Sequence, residues 1–147
     1  MTCIAYRDGT LAADSLATAI HGYTTGHIRK IFELREGVLA GICGYAPHAF
    51  ELLRWYEKGR PGAQPAAADP EHTGTLVVFR HEGANPLIFE GGYGQEEGFA
   101  PYWAYGSGAE IALGAMYREA TAEQAVEAAI ALHTACGGPI RVLRHKA

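Results

Sequence analysis

The sequence has little of what marks a disulfide-rich, metal-binding or membrane protein. Its three cysteines, Cys3, Cys43 and Cys136, are odd in number and far apart, and no C-x-x-C pair suggests a zinc or redox site. No apolar run reaches the length that crosses a membrane, and no secretory signal is evident. We therefore expect free thiols, no metal or other cofactor, no membrane contact and a soluble protein of the cytoplasm.

Clustered positive charge is also absent. The 16 acidic residues outnumber the 12 Lys and Arg residues, which gives a formal net charge of −4. Phosphate contacts require clustered Lys and Arg, so we expect no nucleic-acid partner. At 147 residues and 48% hydrophobic, the chain can bury a core without disulfides, and we expect one domain over residues 1–147.

The first segment predicts a β-hairpin. Two short apolar runs flank Asp8-Gly9, a dipeptide that favours the left-handed backbone of a tight turn. Strands over residues 2–7 and 10–15 should therefore fold back on each other.

The length of the hairpin loop decides which residue faces Asp14. A two-residue loop places Cys3 opposite Asp14, whereas a three-residue loop places Ile4 there and leaves Thr2 and Asp14 on one face. Either register brings Asp14 near Thr2.

Thr2 is a candidate nucleophile. If Met1 is removed, one residue carries both a hydroxyl and a free α-amine, which is a base poised close to neutral pH. A buried lysine nearby would favour loss of protons from both groups if a carboxylate compensated its charge. Lys30 and Asp14 could form that pair, although from the residues alone Asp14 could begin a turn and Lys30 could be an edge-strand charge.

The rest of the chain predicts further strands and three helices. Pro47 suits the first turn of a helix, and Ser107–Glu110 and Thr121–Gln124 have the spacing of capping boxes. We predict strands over 17–25 (irregular), 27–34, 38–43, 73–79, 86–89, 99–105 and 140–144, and helices from 46 to near 59, from 107, and from 121 through 133. Residues 60–70 and 91–94 read as loops, and the segment 73–105 is expected to build a second sheet. Helices covering stacked sheets give an α+β fold, but the pattern does not fix the number of layers.

Five segments occur in an order that resembles a known family. They are residues 2–9 (TCIAYRDG), 11–15 (LAADS), 27–31 (HIRKI), 39–44 (LAGICG) and 105–108 (YGSG). Together they make nearly the whole chain resemble a proteasome β-type subunit, most like the HslV-like bacterial and phage homologues. The resemblance implies the four-layer αββα sandwich of N-terminal-nucleophile hydrolases and a threonine-type peptidase.

The resemblance also implies a role for individual residues. The nucleophile would be Thr2, the pair that assists it Asp14 and Lys30, the oxyanion donor the Gly44 N–H, the partner of the catalytic amine Ser107, and the base of the substrate pocket Ile42. Simpler readings are a strand end for Gly44, an N-cap for Ser107 and ordinary core for Ile42. A peptide or unfolded protein would be the substrate and a homo-oligomeric ring the assembly, with an ATPase unfoldase left open as partner.

Two positions depart from the family pattern. Leu16 stands where the family often has an arginine, and His133 stands where it has an aspartate that helps to orient the serine and the amine. His133 could replace that aspartate in a hydrogen bond, could signal lost activity, or could be a satisfied core residue. The alternatives to a peptidase are thus a catalytically silent assembly or scaffold subunit and an amidase for small amides. The other six histidines, including His48, show no metal-ligand spacing.

Overall fold

The computed structural model describes residues 2–18, 24–91, 93–96, 98 and 100–146. Met1, whose removal would expose the amine of Thr2, lies outside this part of the chain. The strands among the described residues are β1 Ile4–Arg7, β2 Thr10–Ala13, β3 Leu16–Thr18, β4 Thr24–His27, β5 Ile31–Glu33, β6 Leu39–Gly44, β7 Gly74–Phe79, β8 Leu87–Glu90, β9 Tyr93–Glu96, β10 Tyr102–Tyr105 and β11 Arg141–Arg144. The helices are α1 Ala46–Glu57, α2 Ala109–Tyr117 and α3 Ala122–Leu132.

The predicted hairpin forms the centre of the first sheet. Asp8 and Gly9 both have positive φ, 51° and 73°, as a tight two-residue loop requires. Arg7 pairs with Thr10, which selects the two-residue loop over the three-residue one. The sheet is antiparallel, in the order β10-β1-β2-β11.

The second sheet draws its strands from both halves of the chain. Its order is β5-β6-β7-β8-β9, so the earlier strands β5 and β6 belong to it, whereas β10 pairs with β1 in the first sheet. Our expectation that the segment 73–105 alone builds the second sheet was therefore wrong. A strand pattern reports which residues are extended and buried, but not which edge they pair with.

Three clusters of buried side chains separate four layers. The first lies between α2, α3 and the first sheet and includes Ala5, Ala12 and Val126. The second lies between the four-stranded first sheet and the five-stranded second sheet, apart from the small β3-β4 sheet, and the third packs α1 against the second sheet. The members of the second are Ile4, Tyr6, Leu11, Ala13, Ile31, Leu39, Val77, Phe79 and Ile88; those of the third are Ala40, Ile42, Ala49, Leu52, Leu53, Leu76, Val78 and Phe89. The α+β class and the αββα layering are confirmed.

Several strand boundaries differ from the prediction. The strand expected over 27–34 is split, because β4 ends at His27 and β5 begins at Ile31. The irregular strand over 17–25 corresponds to parts of β3 and β4, with residues 19–23 outside the described chain. β9 begins at Tyr93, where we expected a loop.

The helix caps follow the prediction in one case and not in the other. Thr121 and Gln124 make both hydrogen bonds of a capping box at α3. At α2 the N-cap is Gly108, without a side-chain cap, so the capping box expected from Ser107 was wrong. The Ser107 hydroxyl instead contacts Thr2. None of the described helices has the length and apolar character needed to cross a membrane.

Two glycines should respond to alanine in opposite directions. Gly114 lies within α2, and a Cβ there meets no atom within 4 Å, so Gly114→Ala should raise the free energy of unfolding by about 0.5–1 kcal/mol. A Cβ on Gly41 would lie 2.9 Å from Ile4 Cδ1 between the sheets, so Gly41→Ala should lower it by about 1–3 kcal/mol. Urea unfolding measures both, and equal effects would contradict the packing described here.

Candidate active site

Thr2 is held where the first strand meets the turn before α2. The residue is only 5% exposed. Its main-chain N–H donates to Ser107 Oγ at 3.2 Å, and its carbonyl accepts from the Gly108 N–H at 3.0 Å. Gly106 has a φ of +94°, and a Cβ there would overlap the Thr2 carbonyl, so only glycine allows this close approach. The 106–108 turn therefore fixes both ends of the Thr2 backbone.

Beside it lies a buried ion pair. Lys30 Nζ donates to Asp14 Oδ1 at 2.8 Å, and the two side chains are 4% and 0% exposed. Asp14 also accepts from the Cys3 N–H at 3.0 Å and the Gly137 N–H at 3.1 Å. The carboxylate thus has three donors, which is what a charged group needs when it is removed from water.

The segment after α3 hydrogen-bonds to the stretch of chain that carries Asp14. Sequence reasoning did not identify this contact. The Gly137 carbonyl accepts from the N–H groups of Ser15 and Leu16, at 2.9 and 3.1 Å. The Ser15 hydroxyl donates to the Pro139 carbonyl at 2.6 Å. The sequence Gly137-Gly138-Pro139 is a turn signal, which does not say which distant strand the turn will contact.

Lys30 is also tied to the strand that carries Gly44. The Ile42 N–H donates to the Lys30 carbonyl at 2.8 Å, and the Tyr45 N–H donates to the Thr73 carbonyl at 3.0 Å. Because successive N–H groups of a strand point to opposite sides, that of Gly44 points away from β7, to the side on which Ile42 contacts Lys30. This orientation suits an oxyanion donor, and the role stays a prediction.

The glycine at position 44 has a structural explanation as well. Its φ is +78°, and a Cβ would lie 2.7 Å from the Thr73 carbonyl. The backbone therefore requires glycine here whether or not the N–H serves an oxyanion. Ile42, which the resemblance puts at the base of the substrate pocket, is 3% exposed and packs in the cluster beneath α1; its pocket role also stays a prediction.

The contacts of His133 and Cys136 differ from those that the sequence suggested. His133 caps the end of α3, and its Nδ1 accepts from the Ala135 N–H at 3.1 Å. Among the described residues no hydrogen bond joins it to Ser107 or Thr2, and its role as a neighbour of the site stays a prediction. Cys136, which the sequence suggested only as a free thiol, lies beside the turn that holds Thr2. Its sulfur would be 3.0 Å from a Cβ on Gly108.

The three cysteines near the site have raised pKa values. Burial raises the pKa of Cys3 to about 12, with Cys136 and Asp14 adding to the rise. Burial likewise raises the pKa of Cys43 to about 11 and that of Cys136 above its ordinary value. The positive charge of Lys30 opposes the rise at all three. The cysteines are therefore free thiols that stay protonated at neutral pH.

Comparisons with known proteins agree with this architecture. No protein-family model matches the sequence, and no curated protein matches it. Among solved structures, HslV from Trypanosoma brucei has a TM-score of 0.69 at 18% identity, over 98% of this chain and 99% of that one. The chain has the fold of a proteasome β-type subunit. Two structures of BPH from Thiobacillus denitrificans, one in complex with epoxomicin, share this proteasome-type fold, with TM-scores of 0.62 and 0.60 at 21% identity. The matches cover 99% of this chain in both cases, and 99% and 98% of those chains.

Removal of one partner of the buried ion pair should destabilise the folded protein. In Lys30→Met the Asp14 carboxylate stays buried without its cation, and we expect the free energy of unfolding to fall by about 3–5 kcal/mol. Lys58, at the end of α1, is exposed, so Lys58→Met should change it by less than about 0.5 kcal/mol. A loss in Lys30→Met no larger than in the Lys58 control would show that the pair is dispensable for folding.

The buried thiol of Cys3 should make stability fall at alkaline pH. Its folded-state pKa of about 12 lies above the ordinary value of 9.0, so the folded state binds more protons between these values. The stabilisation is complete below pH 9 and is lost as the pH rises toward 12, with a slope of up to about 1.4 kcal/mol per pH unit. Unfolding at pH 8 and pH 10.5 should show a flatter pH dependence for Cys3→Ala than for the unsubstituted protein. Parallel curves would contradict the burial of this thiol.

Proposed function

We propose that this protein is a threonine-type peptidase whose nucleophile is Thr2, exposed by removal of Met1. The observation that carries the proposal is the placement of Thr2, anchored by Ser107 and Gly108, next to the buried Asp14–Lys30 pair. An ion pair buried this deeply contributes little net stability compared with apolar residues. A chemical task for the Lys30 charge explains its position better than folding does.

The proposed reaction begins with proton transfer within one residue. The Thr2 hydroxyl gives its proton, through a water molecule, to its own α-amine, and its oxygen attacks a peptide carbonyl. The positive charge of Lys30 favours the deprotonated forms of both groups. Ser107 Oγ, 3.2 Å from the Thr2 nitrogen, holds the amine in place.

The intermediate needs stabilisation of negative charge. The carbonyl oxygen becomes an oxyanion, and the Gly44 N–H is the proposed donor to it. Collapse of the intermediate breaks the C–N bond, and the ammonium returns its proton to the leaving amine. The resulting ester on Thr2 is cleaved by water, which releases the acid and restores the hydroxyl. No cofactor takes part in this sequence.

The natural substrate is proposed to be a peptide or unfolded protein, and the working form a homo-oligomeric ring. Support comes from the proteasome-type fold. It also comes from two large apolar side chains left 75% and 74% exposed on the outer helices, Tyr117 and Leu132, which a contact between subunits would cover.

A catalytically silent assembly subunit is the second candidate. It is favoured by His133, which turns to Ala135 rather than to Ser107, and by Leu16 in place of the family arginine. A subunit of this kind would keep the fold and the ring while its Thr2 stayed unreactive.

Intact mass spectrometry after incubation with a peptide epoxyketone such as epoxomicin separates the two candidates. A terminal threonine captures this reagent through its hydroxyl and amine together, so the peptidase should have lost Met1 and should gain a single adduct. Retained Met1 without an adduct would establish the silent subunit. An adduct accompanied by turnover of small amides but not of peptides would indicate an amidase instead.

Substitution of Thr2 tests the nucleophile directly. Thr2→Ala should lower peptide turnover by about three orders of magnitude or more, because no other hydroxyl carries the amine. Thr2→Ser keeps both groups and should retain measurable turnover. Thr10→Ala, in β2 at the far end of the hairpin, is the matched control and should turn over peptide at the unsubstituted rate. Undiminished turnover in Thr2→Ala rules out the mechanism.

A further inference from the structure

His48 is a buried histidine that the proposed mechanism does not use. It lies in the first turn of α1 and is 4% exposed. Sequence reasoning gave it no role beyond the absence of metal-ligand spacing. Its burial and its position four residues after Gly44 make its contacts relevant to the site.

Both ring nitrogens of His48 have main-chain partners. The Gly74 N–H donates to Nδ1 at 2.8 Å, so Nδ1 carries no proton. Nε2 lies 2.9 Å from the Pro65 carbonyl, which can only accept, so Nε2 carries the proton and donates it. These two bonds select one neutral tautomer and join three segments: the start of α1, the start of β7 and the loop over residues 58–73.

Gly74 links His48 to the proposed oxyanion donor. Gly74 is the cross-strand partner of Gly44. In this pair the two N–H groups point away from each other, one to His48 and the other to the site. The His48 ring therefore accepts a hydrogen bond from an N–H on the outer side of β7 that pairs with none of the described strands.

The backbone around Gly44 and Gly74 is closely packed. A Cβ on Gly44 would lie 2.7 Å from the Thr73 carbonyl, and one on Gly74 would lie 2.6 Å from the Tyr45 carbonyl. The Tyr45 N–H in turn donates to the Thr73 carbonyl at 3.0 Å. In such close packing a shift of Gly74 moves Gly44.

We propose that His48 is a positioning residue, which orients the Gly44 N–H through its hydrogen bond from Gly74. The inference rests on the proposed function, since it assigns His48 to the oxyanion donor of that mechanism. The bond to Pro65 holds the loop and is not needed for orientation. His48 thus acts through Gly74 and does not touch the substrate.

Three substitutions separate the two bonds. In His48→Asn the amide oxygen takes the place of Nδ1 and keeps an acceptor for Gly74. In His48→Gln the amide nitrogen takes the place of Nε2 and keeps a donor for Pro65. His48→Leu keeps neither. His81→Asn, at an exposed histidine beyond the end of β7, is the control for a histidine lost elsewhere.

The rate of peptide hydrolysis should be retained where the hydrogen bond from the Gly74 N–H is retained, and should fall where it is lost. We expect kcat to fall by roughly 10- to 100-fold in His48→Gln and His48→Leu, with KM changed by less than about 2-fold, because a misplaced oxyanion donor weakens the transition state more than substrate binding. His48→Asn and His81→Asn should stay within about 3-fold of the unsubstituted kcat. Equal kcat in all three His48 variants, whether retained or lost, overturns the proposal.

A second readout does not depend on activity. In ¹H–¹⁵N spectra the Gly44 amide should keep its position in His48→Asn and move in His48→Gln and His48→Leu. If the unsubstituted protein neither hydrolyses peptides nor reacts with the epoxyketone, the proposed function fails, and the Gly44 amide still decides whether His48 orients it. A Gly44 amide that is unmoved in all folded variants, or moved in all of them, overturns the positioning role.

Discussion

The buried ion pair between Asp14 and Lys30 is the constraint on which this structure depends. Taking two charges out of water costs several kcal/mol for each, and that cost is offset only when every oxygen and proton has a partner. Asp14 meets the condition with Lys30, the Cys3 N–H and the Gly137 N–H. The first hairpin, the segment that carries Lys30 and the turn after α3 must therefore meet at one point.

Much of the local geometry around Thr2 follows from that meeting point. The two-residue loop at Asp8-Gly9 sets the register that puts Asp14 opposite Cys3. The glycine at position 106 lets the turn before α2 approach the Thr2 carbonyl. The site is thus assembled from main-chain contacts between distant segments, with few side chains of its own.

The arrangement also separates the roles of the acidic and basic groups. Asp14 accepts hydrogen bonds from Lys30 and from the Cys3 and Gly137 N–H groups, so it compensates the charge of Lys30 and ties three segments together. The positive charge of Lys30 lowers the pKa of Cys3, Cys43 and Cys136, against the larger effect of burial. In the proposed mechanism the base is the α-amine of Thr2, whose nitrogen lies 3.2 Å from Ser107 Oγ.

The sequence by itself determined the features that depend on neighbours along the chain. Asp8-Gly9 fixed the hairpin, Thr121–Gln124 fixed the start of α3, and the alternation of apolar residues gave the α+β class, while the resemblance supplied the αββα layering. Tertiary structure decided what depends on segments far apart. It selected the edge that β10 joins and made Gly108 rather than Ser107 the N-cap of α2, while Ser107 contacts Thr2 as the resemblance implied. It also brought Gly137 and Cys136 to the site, whereas His133 bonds within its own turn. The physical reason is that turn and capping preferences arise within a few residues, whereas satisfying a buried charge or filling the space beside a glycine depends on partners that only the packed chain brings together.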